Sequence, residues 1–243
     1  MAASGRSGDH ASALEAQARG GREGTKPVLA ATVILLRDGD DGLETLMLKR
    51  NSKIAFGGMW VFPGGRLDQA DWAGLQDEFA AARRAARREA MEECGLEVDE
   101  LGMHPFSHWT PPPTTPRRFL TWFFAARATG HEVAIDHGEI HASAWMRPVD
   151  ALARRDAGDI EVAPPTFVSL AELAGFDHVE HALDVIRART PERFQTRIGL
   201  TDDGPVCLWH GDAGYDATDP ARPGPRHRLT MPRQSTWTYD RTP

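Results

Sequence analysis

Cysteine is nearly absent from this chain. Cys94 and Cys207 are the two examples in 243 residues, and they lie far apart. That rules out a disulfide framework or a CxxC zinc motif and fits a reducing compartment, so a cytoplasmic location is expected. Long apolar runs are missing too. The longest, "VLAATVILL" (28–36), is strand-sized rather than bilayer-sized. The N-terminus has no apolar stretch and carries Asp9, Glu15 and Glu23, so no secretory leader is expected. Positive charge is in deficit: 28 Lys and Arg against 35 Asp and Glu give a net charge of −7. Such a balance argues against nucleic acid or an anionic membrane as partner, and leaves room for a small anion held by local arginines. Lysine is confined to Lys26, Lys49 and Lys53. Arginine suits bidentate phosphate contacts, although codon usage in a GC-rich genome is the plainer source of the overall bias. No internal repeat is present.

What is there reads as an ordinary globular chain, 41% hydrophobic and 26% charged, long enough to bury a core without metals or disulfides. Residues 1–26 are small, polar and glycine-rich, and read as a disordered tail with a brief helix around "ASALEAQA". From 27 to 243 one mixed domain with a C-terminal extension is expected. "PVLAATVILLR" and "LETLMLKR", joined by "DGDDG", read as a hairpin. A short strand at 59–62 precedes a helix from about Asp77 to Glu93, with Phe79, Ala82, Ala86 and Ala90 on its apolar face and Gly95 as its stop. "RRFLTWFFAARA" (117–128) and "IHASAWMRP" (140–148) read as strands. "VDALARRDA" reads as a short helix and 167–189 as one or two more. Short strands follow at 206–212 and 226–232.

"RREAMEECGL" (87–96) crowds Glu89, Glu92 and Glu93 into the last helical turns. At spacings of three and four the carboxylates share one side, where like charges cost a few tenths of a kcal/mol per pair. Acidic groups there also oppose the helix dipole, by roughly 0.3–1 kcal/mol each. A hard divalent cation such as Mg²⁺ or Mn²⁺ resolves the conflict. A solvated face with pairs such as Arg88–Glu92 is the plainer alternative. Upstream, "VFPGGRLD" supplies a strand and a glycine turn whose backbone N–H groups can approach an anion.

Arg88, Glu89, Glu92, Glu93 and Gly95 spell R-E-x-x-E-E-x-G, which resembles the C-terminal half of the Nudix box, G-x5-E-x7-R-E-U-x-E-E-x-G-U. Ala90 and Leu96 take the aliphatic positions. The first half departs from the pattern. From Gly65 to Arg88 is 23 positions where the pattern has 14, an excess of nine. The glutamate expected to support the box arginine falls on Ala80, with Asp77 and Glu78 as neighbouring substitutes. "FPGGRLDQAD" (62–71) and "HWTPPPTTPRRFLTWFF" (108–124) resemble the Nudix branch whose box is interrupted, which includes coenzyme A diphosphatases. "GEIHASAWMRPVDAL" (138–152) is similar to that family's later strand and helix.

The resemblance implies an α+β fold: a Nudix-type α/β/α sandwich with a mixed sheet, plus a C-terminal helical and strand extension. It implies a hydrolase in which Glu89, Glu92 and Glu93 hold Mg²⁺ or Mn²⁺ and a water attacks a diphosphate phosphorus. The general base is one of these glutamates or Glu139. Arg88 orients the carboxylates. Gly64 and Gly65 form the turn. Arg50, Arg66, Arg117 and Arg118 are candidates for phosphate, with Arg118 favoured by its place in "PRRF". A zinc site at His137, Glu139 and His141 is a remote alternative. His178 and His181 read as a solvated helix face, and Trp122, Phe123 and Phe124 as core rather than a base-stacking platform. Cys94 has no histidine nearby in sequence to make it catalytic.

Three functions compete. The first is hydrolysis of coenzyme A or an acyl-CoA; Gly58 and "FPGG" fit the motif for it, while its upstream basic position falls on Ile54. The second is hydrolysis of ADP-ribose or a similar nucleoside diphosphate derivative, for which Pro111 and Pro112 lie at the usual distance past the box. The third is a non-catalytic Nudix-like binding module, which predicts lost metal glutamates.

Overall fold

The computed structural model describes residues 7–20, 24–51, 57–130 and 132–242. Ile54 lies outside them. The chain divides into two compact units. One comprises Val28–His108 and Phe119–Arg193; the other comprises the described part of Met1–Pro27, Trp109–Arg118 and Phe194–Pro243. Among the described residues no helix is long and apolar enough to cross a membrane.

The larger unit is built on a mixed sheet. β1 (Val28–Gly39) and β2 (Gly42–Arg50) form the expected hairpin. β3 (Trp60–Val61) and β4 (Gly64–Arg66) are joined through Phe62 and Pro63, so Gly64 and Gly65, expected in a turn, open β4 and pair with β1. β5 (His104–Thr110), β6 (Phe119–Arg127), β7 (Ile140–Met146) and β8 (Glu192–Gln195) complete the sheet. The order is β3-β2-β1-β6-β5-β8, with β4 on β1 and β7 on β2. β1 runs parallel to β6, from Val28 opposite Phe119 to Leu36 opposite Arg127. A strand flanked in this way is covered on both faces, which is why its sequence is almost continuously apolar. Val33 and Leu35 pack in one core cluster with Ala82, Ala86 and Phe124. Ile34 and Leu36 are equally buried on the opposite face.

Helix α2 (Glu78–Cys94) lies on the first face. Ala81, Ala82, Ala85, Ala86 and Ala90 are all fully buried. The apolar face is therefore wider than the spacing of Ala82, Ala86 and Ala90 implies, and its small side chains let the helix sit close to the sheet. Asp77 caps the helix by accepting from Phe79 N and Ala80 N, each at 3.3 Å. Gly95 ends it in the left-handed region at φ 69°, donating to Met91 O at 3.0 Å. Helices α3 (Pro148–Asp156) and α4 (Pro164–Leu173) each begin on proline, and α5 (Val179–Ala188) packs on β1 and β6. Two helices thus occupy 164–188, the first starting earlier than the sequence pattern indicates.

The smaller unit carries a four-stranded antiparallel sheet, β12-β11-β10-β9, from β9 (Arg197–Thr201), β10 (Gly204–Leu208), β11 (Arg226–Thr230) and β12 (Thr238–Thr242). Helix α1 (Ser7–Ala18) packs against β9 and β10. Residues expected in a disordered tail with a brief helix thus form a twelve-residue helix. Leu14 is buried, Glu15 pairs with Arg233 at 2.7 Å, and Gln17 accepts from Thr115 Oγ1 at 3.0 Å. Trp109 stacks on Phe194 with centroids 3.9 Å apart, and Trp209 meets both edge-on. The C-terminal extension is made of strands; the helices expected with it, α4 and α5, belong to the larger unit.

Candidate active site

The box arginine finds its partner outside the helix. Arg88 Nε donates to Asp71 Oδ1 at 3.2 Å and Nη2 to Asp71 Oδ2 at 3.0 Å. Asp71 sits in a short 3₁₀ turn, Gln69–Trp72, where it also accepts from Asp68 N at 2.8 Å. It is only 2% exposed. The substitutes expected for the missing box glutamate have other work: Asp77 is the helix cap, and Glu78 Oε1 accepts from Trp122 Nε1 at 3.4 Å. Asp71 belongs to "FPGGRLDQAD", so the signal was in the stretch that marks the interrupted box. The fork-on-fork geometry leaves Arg88 Nη1 for Glu89 Oε1 at 2.9 Å and Glu92 Oε2 at 2.8 Å. Nη2 also donates to Arg66 O at 3.0 Å. Burial acts to lower the Arg88 pKa, but the Asp71 hydrogen bond and the Glu89 charge outweigh it and raise it.

Glu93 reaches the glycine pair that opens β4. Gly64 N donates to Glu93 Oε2 at 2.8 Å, while Glu93 Oε1 is buried with no hydrogen-bond partner. Burial pushes this carboxyl up to about 8, helped by repulsion from Glu89 and Glu139 and opposed by Gly64 N–H and Arg50. Glu89 is raised as well, first by burial, with Glu92 and Glu139 adding repulsion against the pull of Arg88. Gly64 is sterically required, and a side chain at Gly65 would displace a carboxylate of the site. A Cβ on Gly64 would meet Ala31 O at 2.5 Å, and one on Gly65 would overlap the Glu89 carboxylate.

Glu139 arrives from the loop before β7. Asp136 accepts from Glu139 N at 3.1 Å and Ile140 N at 3.0 Å, and His137 adopts a left-handed φ of 56°. Burial acts to raise the Asp136 carboxyl, but these backbone N–H groups lower it below the ordinary range. Arg50 Nη2 donates to Glu139 Oε2 at 2.6 Å, and Arg50 Nη1 lies 3.9 Å from Glu93 Oε1. The structure thus brings together Arg50, Gly64, Gly65, Arg88, Glu89, Glu92, Glu93 and Glu139. Arg66 contributes its backbone carbonyl, with an exposed side chain. Arg117 and Arg118 belong to the other unit. Trp122, Phe123 and Phe124 are buried strand residues, as expected. His178 and His181 are exposed. The Cys94 thiol donates to Ala90 O, and burial pushes it up to about 11, a poor nucleophile.

Among the described residues, no three His, Cys, Asp or Glu side chains are gathered closely enough to hold a metal ion, at His137, Glu139 and His141 or elsewhere. Around the box the carboxylates are spread over guanidinium groups instead: Glu89 and Glu92 on Arg88, Glu139 on Arg50. The donor set still fits a hard cation. It offers oxygen ligands only, mutually repelling carboxylates, and a buried oxygen on Glu93 that nothing satisfies.

The model of the NUDIX domain matches residues 26–165, more than half of the chain and the whole of this site. The chain belongs to the Nudix family. Among solved structures, a NUDIX hydrolase from Alicyclobacillus acidocaldarius aligns with a TM-score of 0.60 at 23% identity, covering 68% of this chain and 99% of that one. This likeness shows the shared fold. A MutT NUDIX hydrolase from Burkholderia pseudomallei aligns at 0.45 and 21% identity, over 61% of this chain and 99% of that one. The NUDIX domain of Shewanella oneidensis NrtR, complexed with ADP ribose, aligns at 0.48 and 17% identity, over 61% and 86%. No curated protein matches the chain. As a Nudix hydrolase, the protein acts on phosphorus-containing anhydrides by hydrolysing a diphosphate linkage.

Proposed function

We propose that the protein is a cytoplasmic diphosphatase that uses Mg²⁺ or Mn²⁺ held by Glu89, Glu92 and Glu93, and that its substrate is coenzyme A or an acyl-CoA. The observation that carries the metal reading is the Glu93 carboxylate: buried, oriented by Gly64 N–H, repelled by Glu89 and Glu139, and left with an oxygen that no protein group satisfies. The cation, when bound, supplies Lewis acidity toward a diphosphate oxygen and an attacking water. The chain's own groups do the rest. Asp71 fixes Arg88, and Arg88 fixes Glu89 and Glu92. Gly64 and Gly65 let the backbone approach an anion closely. Glu139, half exposed at the rim, is the residue best placed to take a proton from water, with the box glutamates as alternatives. Arg50, Arg66 and Arg118 are the candidate phosphate ligands.

The coenzyme A reading is supported by the interrupted box, whose "LDQAD" segment supplies Asp71, and by "HWTPPPTTPRRFLTWFF". The cytoplasmic reading is supported by two buried free thiols. The test is a panel of coenzyme A, acyl-CoA and ADP-ribose with Mg²⁺ or Mn²⁺, with Glu93→Gln as control. Coenzyme A or its thioesters are expected to turn over fastest, and Glu93→Gln to fold normally while losing roughly 10³-fold in kcat. Faster ADP-ribose cleavage would replace the substrate; undiminished turnover in Glu93→Gln would remove the metal assignment. Tight binding of one diphosphate without cleavage would point to a binding module.

A further inference from the structure

Among the described residues, Arg88 and Arg50 face the carboxylate cluster, and they are bound very differently. Arg88 has every donor occupied by Asp71, Arg66 O, Glu89 and Glu92. Arg50 has one short hydrogen bond, to Glu139 at 2.6 Å, and only a distant approach of 3.9 Å to Glu93 Oε1. On either side of that approach the polar atoms are unsatisfied: Arg50 Nε and Glu93 Oε1 are both buried without a hydrogen-bond partner. Here a guanidinium fills a space between two carboxylates without completing either.

The backbone beneath Arg50 is secured independently of its side chain. Arg50 N donates to Met59 O at 3.0 Å, Gly58 N donates to Arg50 O at 3.0 Å, and Asn51 N donates to Glu139 O at 2.7 Å. A β-bulge in the β2–β7 pairing falls between Lys49 and Arg50, the kind of irregularity that re-aims a side chain. The guanidinium can therefore move while the strand and the Glu139 loop stay where they are.

We propose that Arg50 is an internal counter-ion that competes with the divalent cation for Glu93 and Glu139, so that metal uptake and release of the Arg50 guanidinium are one coupled event. The inference rests on the metal reading of the box glutamates. Arg50 neutralises the carboxylate pair when no metal is present, and on leaving it frees its N–H donors for the phosphate oxygens of the substrate. By linkage, whatever strengthens the Arg50–Glu139 pair weakens metal binding by the same factor.

The test is calorimetric titration of Mn²⁺, without substrate, into wild type, Arg50→Gln, Arg50→Lys and Arg66→Gln, each checked for an intact thermal transition. Arg50→Gln is expected to bind Mn²⁺ roughly fivefold more tightly, the scale of losing one partly exposed ion pair. Arg50→Lys, which keeps the charge without the fork, should fall between it and wild type and covers the case in which Arg50→Gln does not fold. Arg66→Gln removes a neighbouring exposed charge and is expected to change affinity by about twofold or less. A gain in Arg66→Gln equal to that in Arg50→Gln would reduce the effect to general charge and overturn the proposal. Unchanged or weaker Mn²⁺ binding in both Arg50 variants, with wild type binding normally, overturns it while leaving the metal reading intact. Absence of Mn²⁺ binding in wild type and variants alike overturns both.

Discussion

Among the described residues, two aspartate–arginine forks are built on a buried aspartate, one in each unit. In the smaller unit Arg228 Nε and Nη2 donate to Asp212 at 2.7 and 2.6 Å. Each Asp212 oxygen also accepts a backbone N–H, from His227 at 2.9 Å and from Gly214 at 2.8 Å, and Arg228 Nη1 donates to Pro220 O at 2.7 Å. Each guanidinium nitrogen and both carboxylate oxygens are used locally, and the Asp212 side chain is fully buried. The Asp71–Arg88 fork has the same chemistry but is left open. Its Nη1 points past the aspartate to Glu89 and Glu92, one of them exposed. A closed fork ties a loop to a strand; an open one passes its orientation on to other groups. That difference separates an ion pair closed on itself from one that orients further carboxylates.

The comparison can be broken most directly at its closed end. Asp212→Asn leaves Arg228 buried and uncompensated, and is expected to lower stability by about 3–5 kcal/mol, read from denaturant unfolding. Asp71→Asn is expected to lower stability by less, roughly 1–3 kcal/mol. Its main effect is on turnover, a drop of about 10- to 100-fold with weaker Mn²⁺ binding, because Glu89 and Glu92 lose their orientation. Asp71→Glu, which keeps the charge, should recover part of that loss. If Asp71→Asn proves purely destabilising, with normal turnover per folded molecule, the two forks are alike and the distinction fails.

The smallest effect is in pH. Burial acts to raise the Asp212 carboxyl, but Arg228 and the two backbone N–H groups lower it below its ordinary 3.8. A depressed carboxyl contributes stability that is present above the unfolded value and lost as pH falls through the folded one. Acid unfolding of the smaller unit below about pH 3.9 should therefore be steeper in wild type than in Asp212→Asn. Equal slopes would mean that the fork does not set acid stability.

How much of this was legible in the sequence depended on range. Glu89, Glu92 and Glu93 were readable because helical spacing alone puts them together. Gly64 and Gly65 were readable as a place of close backbone approach from the local Pro-Gly-Gly sequence, although they open β4 rather than form a turn. Asp71 was passed over as the partner of Arg88 because the expected partner was sought at the foot of the same helix, whereas the contact spans 17 positions through a 3₁₀ turn. The division into units was illegible for the same reason. α1, Trp109–Arg118 and the last strands meet through contacts such as Arg233–Glu15, 218 positions apart, which leave no periodicity behind. Glu139 could be nominated but not oriented: the sequence does not show that Asp136 and Arg50 hold it.

Anchoring Arg88 from Asp71 has a practical corollary. The nine additional residues of the interrupted box do not lie between two parts of a rigid helix. They lie in a splint fixed at one end by Asp71 and again by Arg84, which donates to Ala73 O at 2.7 Å. Between that point and the Asp77 cap the turn is held by Leu75 N, which donates to Trp72 O at 2.8 Å, while Gly74 and Gln76 are exposed. Gly74, at φ 74°, has open space where a side chain would stand. A short tag or reporter peptide grafted at 74–76 should leave the carboxylates in register. That makes this loop the natural place to attach a probe to the enzyme without silencing it.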